Sequence, residues 1–85
     1  MDIEQLKYDL KNMIITECEK EDITPQDIDN NVELFSPQSG LELDSLDALQ
    51  ISVSIQKEYG VRLADPKEFR RRVTTINALA EFLSA

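Results

Sequence analysis

The chain of 85 residues contains no histidine, no tryptophan and a single cysteine, and these absences remove whole classes of chemistry. Without histidine there is no Ser–His or Cys–His nucleophilic arrangement. One cysteine without histidine also leaves no cluster of zinc ligands. Cys18 has no partner for an internal disulfide, and we expect it to be a small buried hydrophobe. These counts exclude the nucleophilic and zinc chemistries named here, and no catalytic residue is predicted.

Glycine is almost as scarce, because only Gly40 and Gly60 occur, and no Gly-rich phosphate loop is present. The run from Asp27 to Glu33 is similar to the start of a calcium loop, but it fails at two required positions. Val32 stands where such a loop needs glycine, and Gln38 stands where it needs a bidentate glutamate. We therefore predict no metal site and interpret the carboxylates as a solvated acidic surface.

Long apolar runs are absent as well, since no more than three apolar residues follow one another. Nothing in the sequence is long enough to span a membrane, and its acidic amphipathic start is not typical of a secretory signal. Together with the single cysteine, these features predict a cytoplasmic location. Residues 1–85 are predicted to form one domain with a single core.

The charge is strongly negative and unevenly distributed. Acidic side chains outnumber basic ones 17 to 9, which gives a net charge of −8 at pH 7. Several of the basic residues lie together at Lys67 and in the run Arg70-Arg71-Arg72. An acidic body repels nucleic acid and anionic lipid and attracts basic protein surfaces. We expect no nucleic-acid partner and no membrane insertion, and we interpret the arginine run as a solvated helix face.

Apolar residues recur at three- and four-residue spacing, which predicts an all-α fold. We expect a four-helix bundle with three longer helices, a short third helix and a long loop between helices one and two. The first helix is predicted from Asp2 to about Glu19. Its apolar stripe consists of Ile3, Leu6, Leu10, Met13 and Ile14.

The other helices are marked by capping residues. The second helix is predicted from Ser45 to Tyr59, with Gly60 at its end. The third, residues 65–72, begins with the capping-box-like pattern of Asp65 and Glu68, and Thr75 caps a fourth helix over residues 75–84. In the loop we expect a short helical turn after Thr24. Four apolar side chains should hold the loop on the core: Ile28, Val32, Leu34 and Phe35.

Asp44-Ser45-Leu46 is the most informative stretch, because it lies where the long loop meets the second helix. The hydroxyl of Ser45 is then exposed at the N-terminal end of that helix, beside backbone N–H groups without helical partners. This hydroxyl can simply cap the helix. Alternatively, it can carry an anionic group that the helix dipole favours.

The second helix has two apolar stripes when residues are placed about 100° apart. One consists of Ile51, Ile55 and Tyr59, and the other consists of Leu46, Leu49 and Val53. A peripheral helix of a small bundle buries only one side. Either this helix is central, or the second stripe is a docking surface with a polar rim of Asp47, Gln50, Ser54 and Lys57. We favour the docking surface.

Asp44-Ser45-Leu46, with a Gly-containing loop before it and an amphipathic helix after it, resembles the attachment region of an acyl carrier protein. Three further stretches of this short acidic chain are similar to that family. They are Ile23–Ile28 after the first helix, Leu34-Phe35 before the serine and Thr75–Leu79 at the start of the last helix. The resemblance covers nearly the whole chain and implies the four-helix fold of that family.

The resemblance implies that Ser45 Oγ receives 4′-phosphopantetheine from coenzyme A, in a reaction that phosphopantetheinyl transferase catalyses with Mg²⁺. The thiol of this group then holds acyl intermediates as thioesters, so the protein is a carrier and a substrate of other enzymes. Asp44 and Leu46 are recognised by the transferase, and Leu46, Asp47 and Val53 by later enzymes, with Leu49 on the same surface. Residues implied to line a space for the cargo between helices two and three are Ile51, Ile55, Leu63 and Phe69.

The implied partners are acyl-transferring, condensing or ligase enzymes with basic docking surfaces, and we expect a monomer. Carriers of fatty acid synthesis are typically more acidic on the second helix, which here has only Asp47 and Glu58. A polyketide or lipid-modifying pathway therefore fits as well. Two other functions stay open. One is a small acidic adaptor that binds through Leu46, Leu49 and Val53, with Ser45 only as a cap, and the other is an aminoacyl or peptidyl carrier.

Overall fold

A computed structural model describes residues 2–63 and 65–84 of the chain. Within these residues the chain forms four α-helices and no strand: α1 (Ile3–Glu17), α2 (Ser45–Tyr59), α3 (Pro66–Arg72) and α4 (Ile76–Ser84). α1 and α2 have 15 residues each, α4 has 9 and α3 has 7. The all-α prediction is confirmed, and α3 is the shortest helix, although α4 is closer in length to α3 than to α1 or α2. The predicted domain limits, residues 1 and 85, lie outside the described residues.

α1 begins and ends slightly inside its predicted limits. The Asp2 carboxylate caps it by accepting a hydrogen bond of 3.0 Å from the Glu4 N–H. The helix stops at Glu17, since Glu19 has a left-handed φ of 54° that a helix cannot continue through. Of the predicted apolar stripe, Leu6, Leu10 and Ile14 are buried and Met13 is partly buried, whereas Ile3, in the first turn, is exposed.

The four helices share one core. α1 packs against both α2 and α4, and α3 packs against α4. Each buried Leu or Ile side chain contributes roughly 1.5–3 kcal/mol relative to an exposed one, so this core dominates the stability of the fold. The largest fully buried side chains are Leu10, Ile14, Leu34, Leu41, Ile51, Ile55, Val73, Ile76 and Leu79. No helix within the described ranges is long and apolar enough to cross a membrane.

The long loop between α1 and α2 is fixed by its own apolar residues and by two backbone hydrogen bonds. Ile28 and Leu34 are buried as predicted, Val32 is partly buried and Phe35 is exposed. The Leu34 N–H donates to the Thr74 carbonyl at 2.8 Å, and the Asn77 N–H donates to the Asn30 carbonyl at 3.1 Å. These bonds attach the loop to the junction of α3 and α4.

Two short 3₁₀ turns divide the loop, at Pro25–Asp27 and Pro37–Ser39. The first is the predicted turn after Thr24, whose N–H donates to the Asp27 carboxylate at 2.9 Å. The second ends at Gly40, which has a left-handed φ of 71°. The loop is therefore a folded segment that delivers the chain to the start of α2.

α3 begins as predicted in one respect and differs in another. The Asp65 carboxylate accepts a hydrogen bond of 2.9 Å from the Lys67 N–H, with Pro66 in the first helical position. Glu68 does not complete a capping box. Its carboxylate instead accepts bonds from Arg71 Nη2 at 3.2 Å and Arg72 Nε at 2.9 Å, because these cations lie one turn further along the same face.

α4 has the predicted cap, since the Thr75 hydroxyl oxygen accepts a hydrogen bond of 3.0 Å from the Ala78 N–H. α2 has the predicted end at Gly60, which has φ +69° and donates its N–H to the Gln56 carbonyl at 2.9 Å. A left-handed residue at this position is the usual way to stop a helix.

Replacing Gly60 with alanine should lower the free energy of unfolding by about 1 kcal/mol. A Cβ atom there would meet nothing within 4 Å, so the cost comes from the left-handed backbone and not from a clash. Urea titration followed by far-UV circular dichroism measures it. Gly60→Asn is the matched control and should lose less, because asparagine tolerates this conformation. Equal stability of Gly60→Ala and the original chain would contradict this account.

Candidate functional site

The start of α2 is fixed by a reciprocal pair of hydrogen bonds between two aspartates. The Asp47 N–H donates to Asp44 Oδ1 at 3.0 Å, and the Asp44 N–H donates to Asp47 Oδ2 at 3.1 Å. Asp44 has an extended backbone, with φ −118° and ψ −170°, and is the N-cap of the helix. This capping box satisfies backbone donors that a helix start otherwise leaves without partners.

Ser45 is consequently the first residue of α2 and not its cap. Of the two alternatives for its hydroxyl, capping of the helix is therefore wrong, because Asp44 already occupies that position. Ser45 is exposed, and its hydroxyl makes no hydrogen bond with the part of the chain that the structure describes. The hydroxyl therefore faces solvent at the positive end of a helix of 15 residues.

The segment before Ser45 is held in place by hydrogen bonds and by one buried side chain. The Ser39 hydroxyl donates to the carbonyls of Leu34 and Ser36, both at 2.9 Å, and accepts from the Leu41 N–H at 3.2 Å. Leu41 is buried in the core. Because Leu34 is itself bound to Thr74, these contacts fix the approach to α2 relative to α3 and α4.

The two stripes of α2 have opposite environments. Ile51 and Ile55 are fully buried, whereas Leu46, Leu49 and Val53 are 72%, 60% and 53% exposed. α2 is therefore not a central helix, and these three residues form an exposed apolar strip beside Ser45. Within the predicted polar rim, Ser54 is buried on the core side and does not belong to that rim.

A cleft of about 850 Å³ lies between α2 and α3, next to Ser45. Leu63 and Phe69, predicted to line a space for cargo, do line it, together with Ser45, Asp44 and Leu49. Ile51 and Ile55 are not among its lining residues and lie in the core instead. Sequence reasoning missed several other residues of its wall: Glu33, Phe35, Leu43, Ala48, Ser52, Pro66, Arg70, Val73 and Thr74.

Two aromatic rings meet across one side of the cleft. The centroids of Phe35 and Phe69 are 5.9 Å apart with an interplanar angle of 67°, an edge-to-face arrangement that is favourable for aromatic pairs. Phe35 belongs to the long loop and Phe69 to α3, so the loop is part of the wall. The apolar residue Phe35 in an otherwise polar loop was the sequence signal for this contact.

The arginines of α3 have different surroundings. Arg71 and Arg72 both bind Glu68, and the guanidinium of Arg72 lies 4.5 Å from the ring centroid of Phe82. Hydrogen bonding from Arg72 is the main cause that lowers the pKa of Glu68 below its ordinary value, with Arg71 adding to the effect. Arg70 instead lines the cleft. Arg70 and Arg71 are exposed and Arg72 is partly buried, so the run is largely the solvated face that the sequence predicted, although its three side chains have different neighbours.

Cys18 lies near the same end of α2, with its Sγ 4.0 Å from the Asp47 carbonyl oxygen. Burial is the main cause that raises the pKa of this thiol to about 12, and the charge of Asp47 adds to the effect. A thiol with such a pKa is almost fully protonated near neutral pH and is a poor nucleophile. Within residues 2–63 and 65–84, no group of three or more His, Cys, Asp or Glu side chains is placed to hold a metal ion.

Comparison with known protein families identifies the class to which this site belongs. Residues 10–83 match the family described as "Phosphopantetheine attachment site". The match covers most of the chain, and the protein therefore belongs to this family of acyl-carrier type, whose members hold covalently attached 4′-phosphopantetheine. Carrier domains of this family are not catalysts themselves. A search of curated proteins found no match.

The capping geometry predicts different effects on the free energy of unfolding for two adjacent residues. Asp44→Ala should lower the free energy of unfolding by about 1 kcal/mol, because it removes the N-cap carboxylate. Ser45→Ala should change it by less than about 0.5 kcal/mol, as for other exposed residues without a specific contact. Chemical denaturation of the unmodified chain measures both. A larger loss in Ser45→Ala than in Asp44→Ala would show that the serine is the structural residue.

Proposed function

We propose that Ser45 is the residue to which 4′-phosphopantetheine is attached and that the chain carries acyl groups between biosynthetic enzymes. One observation supports this proposal above the others. Asp44 caps α2, so the adjacent Ser45 hydroxyl is exposed, makes no hydrogen bond to the described residues and lies beside the cleft. Ser45 also falls within the matched residues 10–83.

The surroundings of Ser45 fit a phosphodiester. The backbone N–H groups of Ser45 and Leu46 make no hydrogen bond with described residues, and both point out of the first turn of α2. An anion at a helix start gains about 0.3–1 kcal/mol from the helix dipole. The carboxylates of Asp44 and Asp47 are occupied with each other's N–H groups. When bound, phosphopantetheine supplies the terminal thiol that holds an acyl group as a thioester.

The cleft between α2 and α3 provides shelter for the apolar part of a cargo. Leu63 and Phe69 supply its apolar wall, and the loop adds Phe35 and Leu43. Ile51 and Ile55 lie in the core, where they keep α2 at its position relative to α1. A cleft of about 850 Å³ is within the range of small-molecule sites. This supports an acyl chain as cargo, of a fatty acid, polyketide or related lipid pathway.

The exposed strip of Leu46, Leu49 and Val53 is the proposed docking surface. Asp44 and Asp47 lie beside the strip at the N-terminal end of α2. Because the chain as a whole is acidic, partners with basic surfaces are attracted to this region. The partners would be a phosphopantetheinyl transferase and the acyl-transferring, condensing or ligase enzymes of one pathway. A small strip gives weak and fast binding, which suits a monomeric carrier that must leave each enzyme.

The small number of acidic residues on α2 bears on which biosynthetic pathway the carrier serves. Only Asp47 and Glu58 are acidic within the helix, and the last turn of α3 is basic. These features fit a dedicated biosynthetic pathway as well as primary fatty acid synthesis, and an aminoacyl or peptidyl cargo uses the same attachment residue. A cytoplasmic location and the absence of a nucleic-acid partner stay predictions of the sequence.

The proposal is tested by incubating the unmodified chain with coenzyme A and a promiscuous phosphopantetheinyl transferase. We expect intact mass spectrometry to show a single phosphopantetheine adduct on the original chain and none on Ser45→Ala. Ser52→Ala is the matched control, because Ser52 lies on the same helix, lines the same cleft and donates its hydroxyl to the Leu63 carbonyl at 3.3 Å.

Modification of Ser52→Ala must equal that of the original chain. An original chain that stays unmodified while a transferase control protein is modified would overturn the proposal. That result would favour the adaptor function, in which the apolar strip alone binds a partner.

The docking role of the strip gives a separate expectation. Leu46→Gln and Val53→Gln should leave the free energy of unfolding within about 0.5 kcal/mol, because both side chains are mostly exposed. The same changes should lower kcat/KM for transfer from coenzyme A by roughly 5- to 30-fold, which corresponds to the loss of about 1–2 kcal/mol of apolar contact. Tyr8→Gln, which changes an exposed apolar side chain on α1, is the control. Unchanged kcat/KM in both strip variants would exclude the strip from docking to the transferase.

A further inference from the structure

Arg70 is the one basic side chain among the described residues that line the cleft next to Ser45. It lies in the last turn of α3, and most of the wall around it is apolar, including Phe69 and Val73. Arg70 itself is exposed, so its guanidinium is accessible to a group that enters the cleft. Arg70 is therefore placed to contact an anionic group that enters the cleft.

The neighbouring arginines bind other side chains, whereas Arg70 has no ion-pair partner among the residues that the structure describes. Arg71 and Arg72 share the Glu68 carboxylate, and Arg72 also covers the Phe82 ring. Arg70 is absent from the ion pairs within 4.0 Å that the described residues form. Its backbone is fixed, because the Thr74 hydroxyl donates to the Arg70 carbonyl at 2.8 Å. The Arg70 side chain therefore extends from a fixed backbone position, and its guanidinium N–H groups are not used in an ion pair with the described residues.

Two acids also line the cleft and compete for this guanidinium. Asp44 already accepts the Asp47 N–H as part of the capping box. Glu33 is an exposed loop residue and forms no ion pair with Arg70 within 4.0 Å. An exposed pair at longer distance is weak and screened by salt. A ligand oxygen brought next to the guanidinium can make a direct charge-assisted hydrogen bond, which neither acid makes with Arg70.

We propose that Arg70 binds an anionic oxygen of the group attached at Ser45, either the phosphodiester itself or a carboxylate on the cargo. The proposal rests on the proposed function of Ser45. Arginine presents a planar fork of N–H donors that matches both phosphate and carboxylate. If the oxygen belongs to the cargo, the carrier is selective for acyl groups that combine an apolar chain with an acidic end.

The test uses the chain modified by a promiscuous transferase with coenzyme A, hexanoyl-coenzyme A or adipoyl-coenzyme A. The last two probes have acyl chains of equal length, and only adipoyl has a terminal carboxylate. Intact mass confirms each modification. ¹⁵N NMR then follows the Nε–Hε signals of Arg70 and of Arg71, which is the matched control because it binds Glu68.

We expect the Arg70 signal to move and the Arg71 signal to stay. Movement in all three forms identifies the phosphodiester, and movement with adipoyl only identifies a cargo carboxylate. Thermal unfolding provides a second readout: the form that moves the Arg70 signal should unfold at a higher temperature than the unmodified chain, by a margin that falls with salt and is lost in Arg70→Gln but kept in Arg71→Gln.

Different failures separate the two proposals. If no mass increase occurs on Ser45, the attachment is wrong and Arg70 has no attached group to bind. If the mass increases but the Arg70 signal is unchanged in every form, or moves no more than that of Arg71, only the role of Arg70 is overturned. A third outcome is that unmodified Arg70→Gln unfolds at a lower temperature than the original chain, but modification still raises its unfolding temperature by the same amount. Arg70 then only stabilises the end of α3 and does not bind the attached group.

Discussion

The reciprocal hydrogen bonds between Asp44 and Asp47 are the interaction on which the rest of the site depends. A helix start has backbone donors that need partners, and a serine placed there is often used for this purpose. Here the two carboxylates satisfy the need, at 3.0 and 3.1 Å. The hydroxyl of the next residue is thereby released from any structural role. Attachment at Ser45 would then leave the stability of α2 unchanged. If Ser45 were the cap, modification of its hydroxyl would remove a hydrogen bond that stabilises the helix start.

The cleft depends on the long loop as much as on the helices. The bond from Leu34 to Thr74 and the burial of Leu34 help to hold the adjacent Phe35 close to Phe69. Ser39 extends the same arrangement to Leu41 and so to the start of α2. A loop of this length is uncommon in a small domain unless it has a function. In this chain its function is to build one wall of the space beside Ser45.

The sequence predicted what local signals determine. Gly60 ends α2 and Thr75 caps α4, and both roles depend on neighbouring residues alone. The two stripes of α2 also correctly placed Ile51 on the buried side and Val53 on the exposed side. The sequence left two alternatives open where two signals of equal strength adjoin. Asp44 and Ser45 are both good caps, and the decisive clue was the aspartate three residues after Asp44, which completes a capping box.

The walls of the cleft were less accessible from sequence. A helical wheel shows which side of a helix is apolar, but it does not show which element covers that side. Ile51 and Ile55 were therefore assigned to the cleft although α1 and the core cover them. Phe35, Leu43 and Arg70 reach it only through the path of the loop and the position of α3, which depend on contacts distant along the chain.

The partial burial of Cys18 has a consequence for which sulfur atom of a carrier holds the acyl group. A member of this family works through the thiol of its prosthetic group, and a second thiolate on the same chain could take over the acyl group by transthioesterification. Burial raises the pKa of Cys18 to about 12, so this thiol is almost never ionised under ordinary conditions. Transfer of an acyl group from a prosthetic thiol to Cys18 would therefore be slow, so this cysteine does not compete with that thiol.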